Sequence, residues 1–219
     1  MIGFEGATLS PNDPIAMDIV DRNLGGVILF DRLLAKKLTT NNIVTQAQIA
    51  DLTSSLQELA GGNLLIAVDQ EGGMVTRLKE QHGFPTTPGA ESLGHTTDEE
   101  LTSRSSKQVA SMLNSLGINF NLAPVVDLNI YPKNPIIGAY GRSFSKEPDI
   151  VFENAAKWIG AHRQEGVLSC LKHFPGQGSS HSDSHLGFVD ISATWEQEEL
   201  QPYKDFIKDG YEEAIMIGH

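Results

Sequence analysis

Short apolar runs alternate along the chain with longer segments whose apolar residues recur every three or four positions. Gly26-Val27-Ile28-Leu29-Phe30 and Leu64-Leu65-Ile66-Ala67-Val68 are continuous rather than alternating, the pattern of strands covered on both faces. Between them, Ile49, Leu52, Leu56 and Leu59 lie on one face of a helix predicted within 43–59. The same spacing predicts helices over 101–116, where Gly117 serves as a stop, over 150–165, closed by Gly166, and over 196–209, ahead of Gly210. Strands are predicted at 1–4, 119–127, 167–174 and 214–217, with Pro124 interrupting the hydrogen-bond ladder of its strand. Three stretches lack periodicity, 86–97, 131–147 and 176–192, and all follow strand ends, as functional loops do.

Strands alternating with helices at this spacing imply parallel βαβ units. Two closures compete, an open doubly wound sheet and a (β/α)8 TIM-type barrel. The open sheet would carry a glycine-rich phosphate turn. Neither Gly72-Gly73 nor Gly176-Gln177-Gly178 has the spacing of one. Instead, polar residues stand at the C-terminal ends of several strands: Asp69, Asp127, Lys172 with His173, and His219. That distribution favours the barrel, whose sites gather on that rim. A complete barrel takes about 250 residues, so the expectation for 219 residues is one incomplete barrel of about six βα units.

Composition narrows the function. Lys and Arg number 16 against 28 Asp and Glu, a formal charge of −12, which argues against a nucleic-acid partner. With 40% hydrophobic and 20% charged residues the chain can build a core. The single cysteine, Cys170, excludes an internal disulfide framework and fits a reducing compartment. No apolar run approaches the roughly 18 residues of a membrane span. The start, Met1-Ile2-Gly3-Phe4-Glu5-Gly6, does not read as a secretion leader, so a cytoplasmic location is expected.

Candidate chemistry is densest between Lys172 and His185. Asp183 and His185 alternate, so both side chains can share one side of an extended segment, and a carboxylate beside an imidazole suits proton transfer near neutrality. Loop Ser, Asp and His that merely satisfy turn groups, or a metal held by His181, Asp183 and His185, are the alternatives. Asp69 and Glu71 likewise alternate at the end of a buried strand, where one carboxylate can accept sugar hydroxyls or cap the next element. Arg142 and Arg77 offer rigid donor forks, or solvated surface charge.

Taken together, Val68-Asp69-Gln70-Glu71-Gly72-Gly73, Gly141-Arg142-Ser143-Phe144, Lys172-His173-Phe174-Pro175-Gly176 and Asp183-Ser184-His185 occur in an order that resembles glycoside hydrolase family 3, in its β-N-acetylhexosaminidase branch. The resemblance spans essentially the whole chain. It implies a (β/α)8 barrel, a retaining mechanism, no metal or organic cofactor, and a carbohydrate substrate, terminal β-linked N-acetylglucosamine of muropeptides. Asp69, Arg77, Arg142, Lys172 and His173 would bind the terminal sugar, and His185 paired with Asp183 would be the general acid/base. A histidine in that role needs less pKa elevation than a carboxyl group to be half protonated near pH 7. Two positions depart from the family pattern: Gln177 stands where it reads histidine, and Met74 where it reads arginine. The family's nucleophile, an aspartate in a later Ser-Asp-Asp-like segment, has no counterpart here. The resemblance therefore implies a barrel truncated before its last strands, weakly sugar-binding at most, with an unclosed sheet edge. A family 3 β-glucosidase and a non-catalytic sugar-binding relic of the barrel are the other readings.

Overall fold

The computed structural model describes residues 1–183, 187 and 189–218. Six strands, β1 (Ile2–Gly3), β2 (Gly26–Leu29), β3 (Leu65–Val68), β4 (Phe120–Asn121), β5 (Cys170–Phe174) and β6 (Ala214–Ile217), alternate with helices. The helices of eight residues or more are α1 (Pro14–Arg22), α2 (Gln46–Leu59), α4 (Leu101–Ser115), α5 (Pro148–Gln164) and α6 (Gln201–Lys208); the short α3 (Ala90–Gly94) precedes α4. Strands β1 to β4 pair in chain order, as do β5 and β6, all in parallel. Parallel bridges from Phe120 to Leu168 and from Val125 to Lys172 join the two groups. The order never reverses. A doubly wound sheet changes direction at a switch point where ligands bind, whereas a barrel adds each strand beside the last. These are consecutive βα units of the barrel kind.

The inner strands β2 to β5 bury residues on both faces, and the two sets of residues alternate as the two-residue strand period requires. Val27, Leu29, Ile66, Val68 and Leu171 face the helices, meeting Ile49, Leu52 and Leu56 of α2, Val109 and Leu113 of α4, and Trp158 of α5. Ala67, Phe120, Leu122 and Cys170 face the other way, with Ile28, Ala214 and Met216 packed against them. This second cluster lines the concave side. Side chains that continue its parity beyond the strand ends therefore point toward the axis at the C-terminal rim.

Three elements differ from expectation. The strand expected over 119–127 pairs as a strand only at Phe120–Asn121, because asparagine side chains replace ladder bonds on either side. Asn119 Oδ1 accepts from Ile66 N at 2.7 Å, and Asn121 Oδ1 accepts from Gln70 N at 3.1 Å. Helix α1 is unheralded by periodicity, yet Asp13 stands at its N-cap, Pro14 opens it and Asn23 closes it in the left-handed region. The helix expected over 196–209 begins as a 3-10 turn, 197–200, with a Glu196–Glu199 capping box, before α6.

Candidate active site

The site begins with the parity just described. Asp69 and Glu71 continue the inward side of Ala67 beyond β3, and Lys172 continues that of Cys170 on β5. Gln70, between the two acids, turns away and is fully buried. Its Oε1 accepts from Arg77 N at 3.1 Å and Leu78 N at 3.0 Å, and Asn121 holds its backbone N–H and carbonyl. Gln70 thus shapes the loop that returns Arg77 to the rim. Gly72 lets that loop turn tightly: its φ is +93°, and a Cβ there would lie 2.3 Å from the Pro88 carbonyl oxygen.

Seven side chains then meet in one continuous chain of contacts. Arg77 Nη2 lies 3.5 Å from Asp69 Oδ2, and Lys172 Nζ donates to Asp69 Oδ1 at 3.0 Å and to Glu71 Oε1 at 2.6 Å. Arg142 grips Glu71 with both edges of its fork, Nε to Oε2 and Nη2 to Oε1, each 2.8 Å. The same Nη2 lies 3.3 Å from His173 Nε2, and Arg142 Nη1 donates to the Ile136 carbonyl at 2.8 Å. On its far side His173 Nδ1 meets Asp127 Oδ2 at 2.6 Å, while Asp127 Oδ1 accepts from the backbone N–H groups of His173 and Gln177. Three carboxylates oppose three permanent cations, with His173 between Arg142 and Asp127.

All five residues expected to bind sugar are in this chain. Arg77 and Arg142 are not solvated surface charge: only 21% and 10% of their side-chain surfaces remain exposed. Neither Asp69 nor Glu71 caps the next element, since Lys79 and Gly89 occupy those N-cap positions. Two members were not singled out for a binding role, Glu71 and Asp127. Both were visible as acids at or just beyond strand ends; what they pair with was not. Asp183 is half-buried on the segment after Ser182. His185, its expected partner, and His219 lie outside the described residues. His181 lies against the ring of Tyr131, centroids 4.2 Å apart, and among the described residues no group of three or more His, Cys, Asp and Glu is placed to hold a metal ion.

Electrostatics favour the charged forms of Glu71 and Lys172. Burial raises the Glu71 carboxyl, but the charges and hydrogen bonds of Lys172 and Arg142 outweigh it and hold it at about 2. Burial works against the charge of Lys172, yet Glu71 and Asp69 together keep its ammonium above the ordinary lysine range. Cys170, beneath them, is pushed up to about 11 chiefly by burial, as befits core rather than a nucleophile.

The segment that leads from β5 toward Asp183 is fixed at its root. A Cβ on Gly178 would lie 1.6 Å from the Leu128 carbonyl oxygen. Asn134 Nδ2 donates to the Gln177 carbonyl at 2.6 Å, and Ser179 Oγ donates to buried Glu199 at 2.6 Å.

The parallel strands carry this buried, polar cluster of paired carboxylates and cations on their C-terminal rim, and comparison with known proteins gives the family. Residues 2–219 match the glycosyl hydrolase family 3 N terminal domain. The chain belongs to that family. It is 36% identical over 225 residues to beta-hexosaminidase A of Pseudoalteromonas piscicida, an alignment covering 97% of this chain and 36% of that protein. It is 35% identical to a beta-hexosaminidase of Xylella fastidiosa strain M23, covering 100% of this chain and 63% of the relative. Among solved structures, a family 3 beta-N-acetylglucosaminidase from Paenibacillus sp. str. FPU-7 superposes with a TM-score of 0.85 at 34% identity, over 100% of this chain and 40% of that one. NagZ from Neisseria gonorrhoeae in complex with N-trifluoroacetyl-D-glucosamine gives 0.83 at 29%, over 100% and 62%. The chain thus spans between about a third and under two thirds of the length of these relatives, and it adopts the barrel type of the family.

Proposed function

We propose that this chain supplies the sugar-binding rim and the acid/base loop of a β-N-acetylhexosaminidase that removes terminal β-linked N-acetylglucosamine from peptidoglycan fragments in the cytoplasm. The observation that carries this reading is the contact chain from Arg77 to Asp127, which brings every expected binding residue to one place. Asp69, with 18% of its side chain exposed, offers carboxylate oxygens to sugar hydroxyls. Arg77, Arg142, Lys172 and His173 complete the ring around them. His185, oriented by Asp183, protonates the glycosidic oxygen and then activates water in a retaining double displacement. Asp127 is not the nucleophile: it is fully buried and committed to His173 and Gln177. No residue of these 219 matches the family's nucleophile aspartate, so the chain by itself binds the sugar without turning it over.

The test measures two things on the 219-residue protein: binding of N-acetylglucosamine against glucose by NMR titration, and release of a chromogenic aglycone from the N-acetyl-β-glucosaminide and the matching β-glucoside. Selective binding of N-acetylglucosamine, abolished by Asp69→Asn, with no release is the expected result. Preference for glucose moves the assignment to a β-glucosidase. Release that is lost in His185→Ala supports the acid/base assignment and overturns the claim about the nucleophile.

A further inference from the structure

Glu71 is 8% exposed and has both carboxylate oxygens engaged, Oε1 by Lys172 and Arg142 and Oε2 by Arg142. Its backbone is equally committed. Its N–H donates to the Val75 carbonyl at 3.0 Å, and a Cβ on Gly73 would fall 2.8 Å from the Gly89 Cα, so the turn that carries it is packed against 87–89. The two cations it holds arrive from separate elements, Lys172 from β5 and Arg142 from the long loop after β4. One fixed carboxylate brings both to the rim.

Counting donors shows what that does. A guanidinium has five N–H groups and an ammonium three. Arg142 directs four at Glu71 Oε1 and Oε2, the Ile136 carbonyl and His173 Nε2, and Lys172 directs two at Asp69 and Glu71. Among the described residues each retains a single donor whose direction follows from the others. We propose that Glu71 is a positioning residue: it touches no substrate, and it aims, before any ligand arrives, the one remaining donor of Lys172 and the one remaining donor of Arg142 at adjacent hydroxyl oxygens of a sugar. The proposal rests on the reading of this rim as a sugar site and adds the source of its order. Preset donors spare a ligand the cost of arranging them, which is where preorganisation gains affinity.

The charges facing each partner give a readout beside affinity, the pH at which binding is lost. Lys172 faces Asp69, Glu71 and Arg142; Arg142 faces Glu71, Asp69, Asp127 and His173. Without the Glu71 charge, buried Lys172 keeps one carboxylate against desolvation and the repulsion of Arg142, so it loses its proton at lower pH. The probe is N-acetylglucosamine, titrated from pH 6 upward against wild type, Glu71→Gln and Glu71→Asp, with the Lys172 Cε resonance followed by NMR. Glu71→Gln is expected to bind about tenfold or more weakly, with Lys172 titrating at lower pH than in wild type and the alkaline loss of binding moving with it. Glu71→Asp, which keeps the charge but not the reach, is expected to bind about threefold or more weakly with Lys172 nearly unmoved. Wild-type affinity and an unmoved Lys172 in Glu71→Gln overturn the proposal. Should that variant fail to fold, Glu71→Asp decides: weaker binding supports it and wild-type affinity overturns it. If wild type binds no sugar, the functional reading fails on its own, and the Lys172 titration alone decides whether Glu71 governs the cation pair.

Discussion

His162 lies fully buried in α5, behind the site. Its Nδ1 contacts the Trp158 carbonyl at 2.8 Å, and its Nε2 lies 3.0 Å from Asn121 Nδ2. A carbonyl accepts and an amide nitrogen donates, so Nδ1 carries the proton and Nε2 accepts. Asn121 is also the residue that holds Gln70, and so the turn bearing Asp69 and Glu71. Burial lowers His162 from 6.5 to about 4, despite the hydrogen bond to Trp158 that opposes it. The unfolded chain takes this proton near pH 6.5 and the folded one only near 4, so stability is full above 6.5, falls as pH drops toward 4, and then levels. Urea unfolding of wild type should lose roughly 2 kcal/mol between pH 7 and 5, and His162→Gln should flatten that slope; an equal slope in both would reject the assignment. Glu71 works in a separate window, since its stabilisation is present above 4.5 and is lost only as pH falls toward about 2. The inward parity of Asp69 and Glu71 was legible from their spacing. That Arg142 returns across 71 positions to grip Glu71 was not, because the pairing is set by how two rim loops close on each other, and local sequence carries no trace of that.

At the scale of elements, helices α2, α4 and α5 were legible because each lays a stripe of apolar residues on the sheet. Helix α1 was not: Met17 and Val20 stay exposed among its buried Ile15, Ala16 and Ile19, which blurs the stripe, and the Asp13-Pro14 start was the only clear signal. Helix α3 is too short for any period to register. Two glycines separate what packing demands of such elements from what propensity demands. Gly94, at the end of α3, abuts the backbone of Phe144, and a Cβ there would lie 1.7 Å from the Phe144 carbonyl oxygen. Gly160, inside α5, has nothing within 4 Å of that position. Gly94→Ala should therefore lose about 2 kcal/mol or more to overpacking, while Gly160→Ala should gain about 0.5–1 kcal/mol from helix propensity. For a chain of this size each kcal/mol moves the melting temperature by about 2–4 °C, so thermal unfolding of the two variants should diverge in sign. A gain at Gly94 would mean that α3 does not press on the loop that delivers Arg142.

Across the whole molecule, the sheet order leaves β1 and β6 with one strand neighbour each among the described residues. Parallel barrel sheets are stable because helices cover one face and the closed interior the other. Here Ala214 and Met216 pack on the concave cluster, while Ile215 is 40% and Ile217 73% exposed on the opposite side of β6. At the other edge Ile2 is also exposed. An unpaired edge carrying apolar side chains is a template for another strand. The expectation from sequence of an unclosed edge becomes a specific one in this form, since Ile217 on β6 is the most exposed of these side chains. The 219-residue protein should associate with rising concentration in sedimentation velocity, and Ile217→Lys, which places a charge on that edge without touching the core, should shift it toward monomer. Unchanged association in the variant would place the contact elsewhere on the surface. The proposed sugar site offers an independent check, because Asp69 follows β3, Lys172 lies on β5 and Arg142 lies in the loop after β4 rather than on either edge strand. Sugar binding should therefore survive Ile217→Lys, and its loss would show that the rim depends on what covers β6.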